Sequence, residues 1–139
     1  MEEKEVVSAL SDNGFQATIG QTVMGTLQPK GSLLSPTVRA AKVKVQYLTF
    51  NNEKEMIVLP LSFWGKLVPE DIYVIPSSDI ASLTFKNRFI YYKMVIKYHD
   101  HAQRKKDVYQ VNKWIAKHPW QKTNVASLIQ RLQKQMAIY

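Results

Sequence analysis

Cysteine is absent from the 139 residues of this chain. Its absence excludes disulfides, thiolate nucleophiles and cysteine-built zinc or iron sites, so stability has to come from packing and backbone pairing, and a reducing interior is the simplest home. Glycine is sparse at five residues, and no glycine-rich phosphate loop, Gly-x-Ser-x-Gly elbow or His-Glu-x-x-His pair occurs. Long apolar runs are missing too. No stretch approaches the roughly 18 residues that span a bilayer, and the start Met1-Glu2-Glu3-Lys4-Glu5 is acidic where a secretory leader would be basic and then apolar. Carboxylates thin out along the chain, and Asp79, Asp100 and Asp107 are the last three, too few for easy acid–base pairing. These absences lead to the expectation of a cytoplasmic, non-catalytic protein without metal or cofactor.

What is present is positive charge, unevenly placed. The formal net charge is +8, yet residues 1–59 hold six Lys/Arg against six Asp/Glu, whereas from Lys86 onward the count is twelve against two. The second half therefore carries a basic surface. Such a field attracts nucleic acid, anionic lipid or an acidic protein and does not by itself choose among them.

Periodicity supplies the elements. Val125, Leu128, Ile129, Leu132 and Met136 fall at helical spacing, which predicts an amphipathic helix over 123–137, capped by Thr123 or Asn124 and packed on the rest of the domain. Ile90, Tyr92, Met94, Ile96 and Tyr98 alternate with Lys93 and Lys97, the period of a strand with one buried face. Its partner is Asp107–Ile115, across a hairpin loop over His99–Lys106. Further strands are expected over Phe15–Leu27, from Ala41 to about Phe50, and over Met56–Phe63, Ile72–Ile75 and Ile80–Phe85. Turns are expected at 51–54 and at Lys86-Asn87. Pro60 marks a sheet edge or bulge, and Asp79 is expected to bond backbone amides of its own turn. Residues 1–14 are expected to be a flexible N-terminal segment of one domain covering 1–139. Trp114 and Trp120 are expected to pack the last strand against the helix, and Trp64 to sit in a loop.

Seven strands followed by one helix need a barrel or sandwich to hide their edges. With the run Tyr73-Val74-Ile75-Pro76-Ser77-Ser78-Asp79-Ile80 entering a middle strand, this layout resembles the pleckstrin-homology superfold, and more narrowly the bacterial PH-like and GRAM-like domains, over roughly 16–133. The resemblance implies a mainly β fold, a seven-stranded antiparallel barrel or sandwich capped by the C-terminal helix. It also implies a binding or scaffolding role. The loop joining the first two strands, Gln28–Thr37, holds only Lys30, where lipid-binding relatives cluster Lys and Arg, so inositol-phosphate binding by that route is not implied.

His99-Asp100-His101 has metal-ligand residue types but lacks a fixed third ligand, which favours a solvated turn. If Ile90, Tyr92 and Met94 face the core, then Phe89, Tyr91, Lys93 and Lys97 face outward. With Arg88 they form the expected partner-binding surface. Its occupant is a protein or an anionic partner. A nucleic-acid-binding β-barrel is the alternative, and peripheral but not integral membrane contact stays open.

Overall fold

The computed structural model describes residues 1–29, 44–52, 55–62 and 64–135. Seven strands, β1 (Thr22–Leu27), β2 (Lys44–Phe50), β3 (Met56–Pro60), β4 (Tyr73–Ile75), β5 (Ile80–Arg88), β6 (Tyr91–Asp100) and β7 (Gln103–Asn112), form one sheet in the order β4-β3-β2-β1-β7-β6-β5. Every pairing is antiparallel. Among the described residues two α-helices pack on it, α1 (Glu3–Asp12) and α2 (Pro119–Gln135). The fold is thus mainly β with a C-terminal helix, as the periodicity predicts. Among the described residues no helix is long and apolar enough to cross a membrane.

The strand order forces the sheet to roll. Its two edges, β4 and β5, lie six strand spacings apart, about 29 Å if flat, yet only residues 76–79 separate them in the chain, a reach of at most about 17 Å. Bending brings the edges together around one core that holds Ile75 from β4, Leu83 from β5 and Met94, Ile96, Tyr109 and Val111 from β6 and β7. Helix α2 closes this interior with Val125, Leu128 and Leu132, so the predicted stripe does face the sheet. Gly25 permits the tight closure, because a Cβ there would lie 2.9 Å from Leu48 Cδ1 and 3.2 Å from Tyr109 Cδ1.

A second core lies on the outside of the roll. Helix α1 buries Val6 and Leu10 against Tyr47, Ile57 and Leu59, which point away from the interior. Strands β2 and β3 are consequently buried on both faces, which is why the alternation of Val45 and Tyr47 with Lys44 and Gln46 ends at Leu48 and β3 shows none. Residues 1–14 are therefore not the flexible segment expected from the sequence. Glu3 and Glu5 suit the first turn of α1, Val6 and Leu10 share one face, and Gly14 at φ 85° follows the helix end. Glu3 is buried, and its Oε2 accepts bonds from Gly20 N (2.7 Å) and Asn124 Nδ2 (2.9 Å), which ties α1 to α2.

Several boundaries differ from the sequence expectation. The first strand begins at Thr22 rather than Phe15. Lys86 and Asn87 are not a turn. They pair with Lys93 and Tyr92, and the β5–β6 turn is Phe89-Ile90, which leaves Ile90 exposed instead of buried. The predicted loop over 99–106 shrinks to His101 and Ala102 at φ 51° and 69°, the left-handed pair that a two-residue hairpin demands. Strand β7 stops at Asn112, so Ile115 lies beyond it. Helix α2 starts at Pro119, where a missing N–H costs nothing, and not at Thr123. Asn124 is no cap. It is buried and donates to Thr22 O at 2.8 Å. Trp114 is exposed and does not pack the strand on the helix, whereas Trp120 does join the outer core. Pro60 ends β3 past the reach of β4, a local edge within a central strand. Asp79 sits in a 3-10 turn held by its own N–H to Pro76 O. The expected loop residues 30–37, strand residues 41–43, turn residues 53–54, Phe63 and Met136 lie outside the described residues.

Candidate binding surface

Helix α1 covers the outer face of the β1–β3 half, but among the described residues no element covers the outer face of β5, β6 and β7. The register decides which side chains share it. Tyr92, Met94, Ile96 and Tyr98 point into the roll, so Tyr91, Lys93, Val95, Lys97 and His99 point out. Opposite them stand Arg88, Lys86, Thr84 and Ser82 on β5, and Asn112, Gln110, Val108, Lys106 and Arg104 on β7.

Three cross-strand pairs on this face join cationic or basic side chains directly: Lys86 with Lys93, Lys97 with Lys106, and His99 with Arg104. All six side chains are exposed. Like charges directly opposite destabilise an antiparallel pair, each by a fraction of a kcal/mol up to about 1 kcal/mol. No carboxylate on the outward parity of these three strands offsets them, and none of the five Lys/Arg of these pairs makes an ion pair with another described residue. The acids of this region lie on the other side. Asp100 holds Lys105 at 2.9 Å, which draws the Asp100 carboxyl below and the Lys105 ammonium above their ordinary values. Buried Asp107 accepts from Tyr98 Oη at 2.8 Å.

The face is not flat. Lys97, His99, Arg104 and Lys106 with Ala81 border a cleft of about 390 Å³ at its His101-Ala102 end. A second cleft, of about 400 Å³, lies in the seam between β4 and the ends of β6 and β7, bordered by Tyr73, Ile75, Asp79, Tyr98, Asp100 and Lys105. Strand alternation sends His99 to one side and Asp100 to the other, and among the described residues no group of three His, Asp or Glu converges as a metal site would require.

Of the residues singled out by the sequence, Arg88, Tyr91, Lys93 and Lys97 share the outer face, while Phe89 projects from the hairpin tip, 95% exposed. Lys86, Arg104 and Lys106 join them and were missed, because the first was assigned to a turn and the others to a loop. The inward parity of Asp107, Tyr109 and Val111 carries the missing signal, since continued back along β7 it takes Lys105 and Gln103 and leaves Lys106 and Arg104 outward.

Phenols are packed on both sides of the sheet, Tyr98 and Tyr109 in the interior and Tyr47 under α1. Tyr109 Oη donates to Gln46 Oε1 at 2.7 Å, and Tyr47 Oη lies 3.1 Å from Nε2 of buried His118. Burial pushes Tyr47 up to about 12 and raises Tyr98 and Tyr109 as well. Because the unfolded chain releases these protons near pH 10, the folded state binds more protons above that value, and stability falls as pH rises. The stability is fully present below pH 10 and lost as pH climbs through the raised values, at a cost of about 2–3 kcal/mol from Tyr47 alone by pH 12. Melting curves across this range should show the drop, with a shallower slope for Tyr47→Phe. An unchanged midpoint up to pH 12 would contradict the buried phenols.

No protein-family model matches the chain, nor does any curated protein or solved structure.

Proposed function

We propose that this protein is a non-catalytic, cytoplasmic docking module of PH-like type whose uncovered β5–β6–β7 face binds an anionic partner. The observation that carries the reading is the two opposed lysine pairs, Lys86–Lys93 and Lys97–Lys106, with Arg104 beside them, on a face without a carboxylate. Folding gains nothing from opposing cations, and their repulsion is relieved when a polyanion lies over them. The strip runs for roughly 20 Å along β6 from Lys93 to His99, longer than a single small anion would occupy.

Retention on a heparin matrix tests it. Lys93→Glu with Lys97→Glu should elute at clearly lower salt than the unaltered protein with a melting midpoint no lower, since both side chains are exposed and each new glutamate faces a lysine. Lys66→Glu with Lys122→Glu, equally exposed but off this face, removes the same charge and should cost much less. Equal losses in the two pairs would reduce the interaction to net charge and end the proposal.

A further inference from the structure

The β5–β6 hairpin ends in a turn whose chemistry is wrong for a turn. Two-residue connections favour Gly, Asn and Asp, yet here the pair is Phe89-Ile90, 95% and 59% exposed. Neither side chain belongs to either core. A third large apolar side chain stands beside them. Lys113 N donates to Ile90 O at 3.0 Å, so the next residue, Trp114, 62% exposed, flanks the tip.

Cations ring these three residues. Arg88 adjoins Phe89, the opposed pair Lys86 and Lys93 lies one step behind it, and Lys113 Nζ bonds Asn87 Oδ1 at 2.6 Å while standing 4.9 Å from the centre of the Tyr92 ring. Neither strand of the hairpin near its tip nor residues 113–118 carry a carboxylate. The spacing is informative. Lys86 and Lys93 each sit three residues from the turn, about 10 Å at the rise of a strand, and an interfacial apolar group enters a bilayer by roughly 5–10 Å. Inserting Phe89, Ile90 and Trp114 to that depth sets the collar at the level of the phosphates.

A nucleic acid would place its aromatics differently. Stacking platforms carry exposed rings on the sheet face itself, but the centre of this face is the row Thr84, Val95 and Val108. On this side of the molecule the two most exposed rings, Phe89 and Trp114, are at the end of the hairpin and beside it, where they meet a surface head-on, and Tyr91 next to the tip is half-buried.

We infer that the Phe89-Ile90 tip, with Trp114 and the collar of Lys86, Arg88, Lys93 and Lys113, docks the protein on an anionic lipid bilayer. This rests on the reading of the basic face given above and names its partner. Vesicles of phosphatidylcholine with one third phosphatidylserine are the probe, with pure phosphatidylcholine as reference. The protein should co-sediment with the anionic vesicles only, and Phe89→Ser with Ile90→Ser should lower its partition by about tenfold or more with heparin retention and melting midpoint intact. The cysteine-free chain permits a second readout. An environment-sensitive dye on Ile90→Cys should shift to the blue on anionic vesicles, while the same dye on Ser127→Cys, exposed on α2, should not.

Full vesicle binding by the Ser variant, no blue shift at position 90, or failure to bind anionic vesicles at low salt would each overturn the inference, and heparin retention lost only in Lys93→Glu/Lys97→Glu would leave the basic-face reading standing. Polynucleotide binding without vesicle binding would assign the face to nucleic acid instead. A dimer dissociated by Phe89→Ser/Ile90→Ser would assign the tip to a second copy of the chain. In both cases the bilayer is excluded.

Discussion

Replacing Leu10 with alanine is expected to lower the stability of the whole domain by roughly 2–5 kcal/mol, the cost of emptying a packed apolar site. The side chain is fully buried on the outer core, between α1 and the sheet. For a domain whose total stability is about 5–15 kcal/mol, that is a large fraction. The loss should appear in one cooperative transition, because the same strands β2 and β3 that receive α1 also line the inner core. Deleting residues 1–14 should do more, since it uncovers Tyr47, Ile57 and Leu59 together and leaves Asn124 Nδ2 and Gly20 N without the Glu3 carboxylate. Urea titration of Leu10→Ala and of the deletion, followed by tryptophan fluorescence, would measure both. A deletion variant as stable as the full chain would show that α1 is an ornament.

The other large effect belongs to Gln121. Strand β1 pairs with β2 along its length but meets β7 only at Thr26 and Leu27. Where the two strands separate, the side-chain amide of Gln121 takes the place of a neighbouring peptide. Its Oε1 accepts from Met24 N at 2.8 Å, and its Nε2 donates to Met24 O at 3.1 Å and to Asn112 O at 3.0 Å. Gln121 is fully buried. Leucine in its place keeps the volume and strands one N–H and two carbonyls, each unsatisfied group costing about 1–3 kcal/mol, so Gln121→Leu should destabilise by roughly 2–5 kcal/mol. Amide exchange at Met24 should speed up in the variant beyond what the global loss explains. Slow exchange there would mean that β1 has another acceptor within reach.

The contrast between these two residues explains what could be read in advance. Met94 and Ile96 alternate with Lys93 and Lys97 because β6 has one wet face, and that pattern placed the strand, its inward side and its outward lysines correctly. Tyr47, Leu48, Ile57 and Val58 have apolar surroundings on both sides, so their strands show composition without direction. The helix α1 was hidden because its buried face is just Val6 and Leu10 among charged residues, and a stripe so narrow says little until its receptor surface is known. Gln121 could not be found at all. Gln121 precedes the helix expected over 123–137, and only the true start at Pro119 together with the divergence of β1 from β7 gives it a buried task. The basic outer face is half legible in the sequence. Lys93 and Lys97 followed from alternation, but Lys86, Arg104 and Lys106 join it only through pairing register, which a polar stretch mistaken for loop does not reveal.

The bond between Glu3 and Asn124 spans 121 residues. A ribosome adding about 5–20 residues per second therefore makes α1 roughly 6–24 s before it supplies the anchor. In that interval the β5–β6–β7 meander can assemble locally, since two-residue turns join its strands, while Val6 and Leu10 wait exposed for a surface that is complete only once β2, β3 and α2 have come together. Helix α1 is thus made before the strands that receive it, and the exposed charges along it, Lys4, Glu5 and Asp12, keep it dissolved meanwhile.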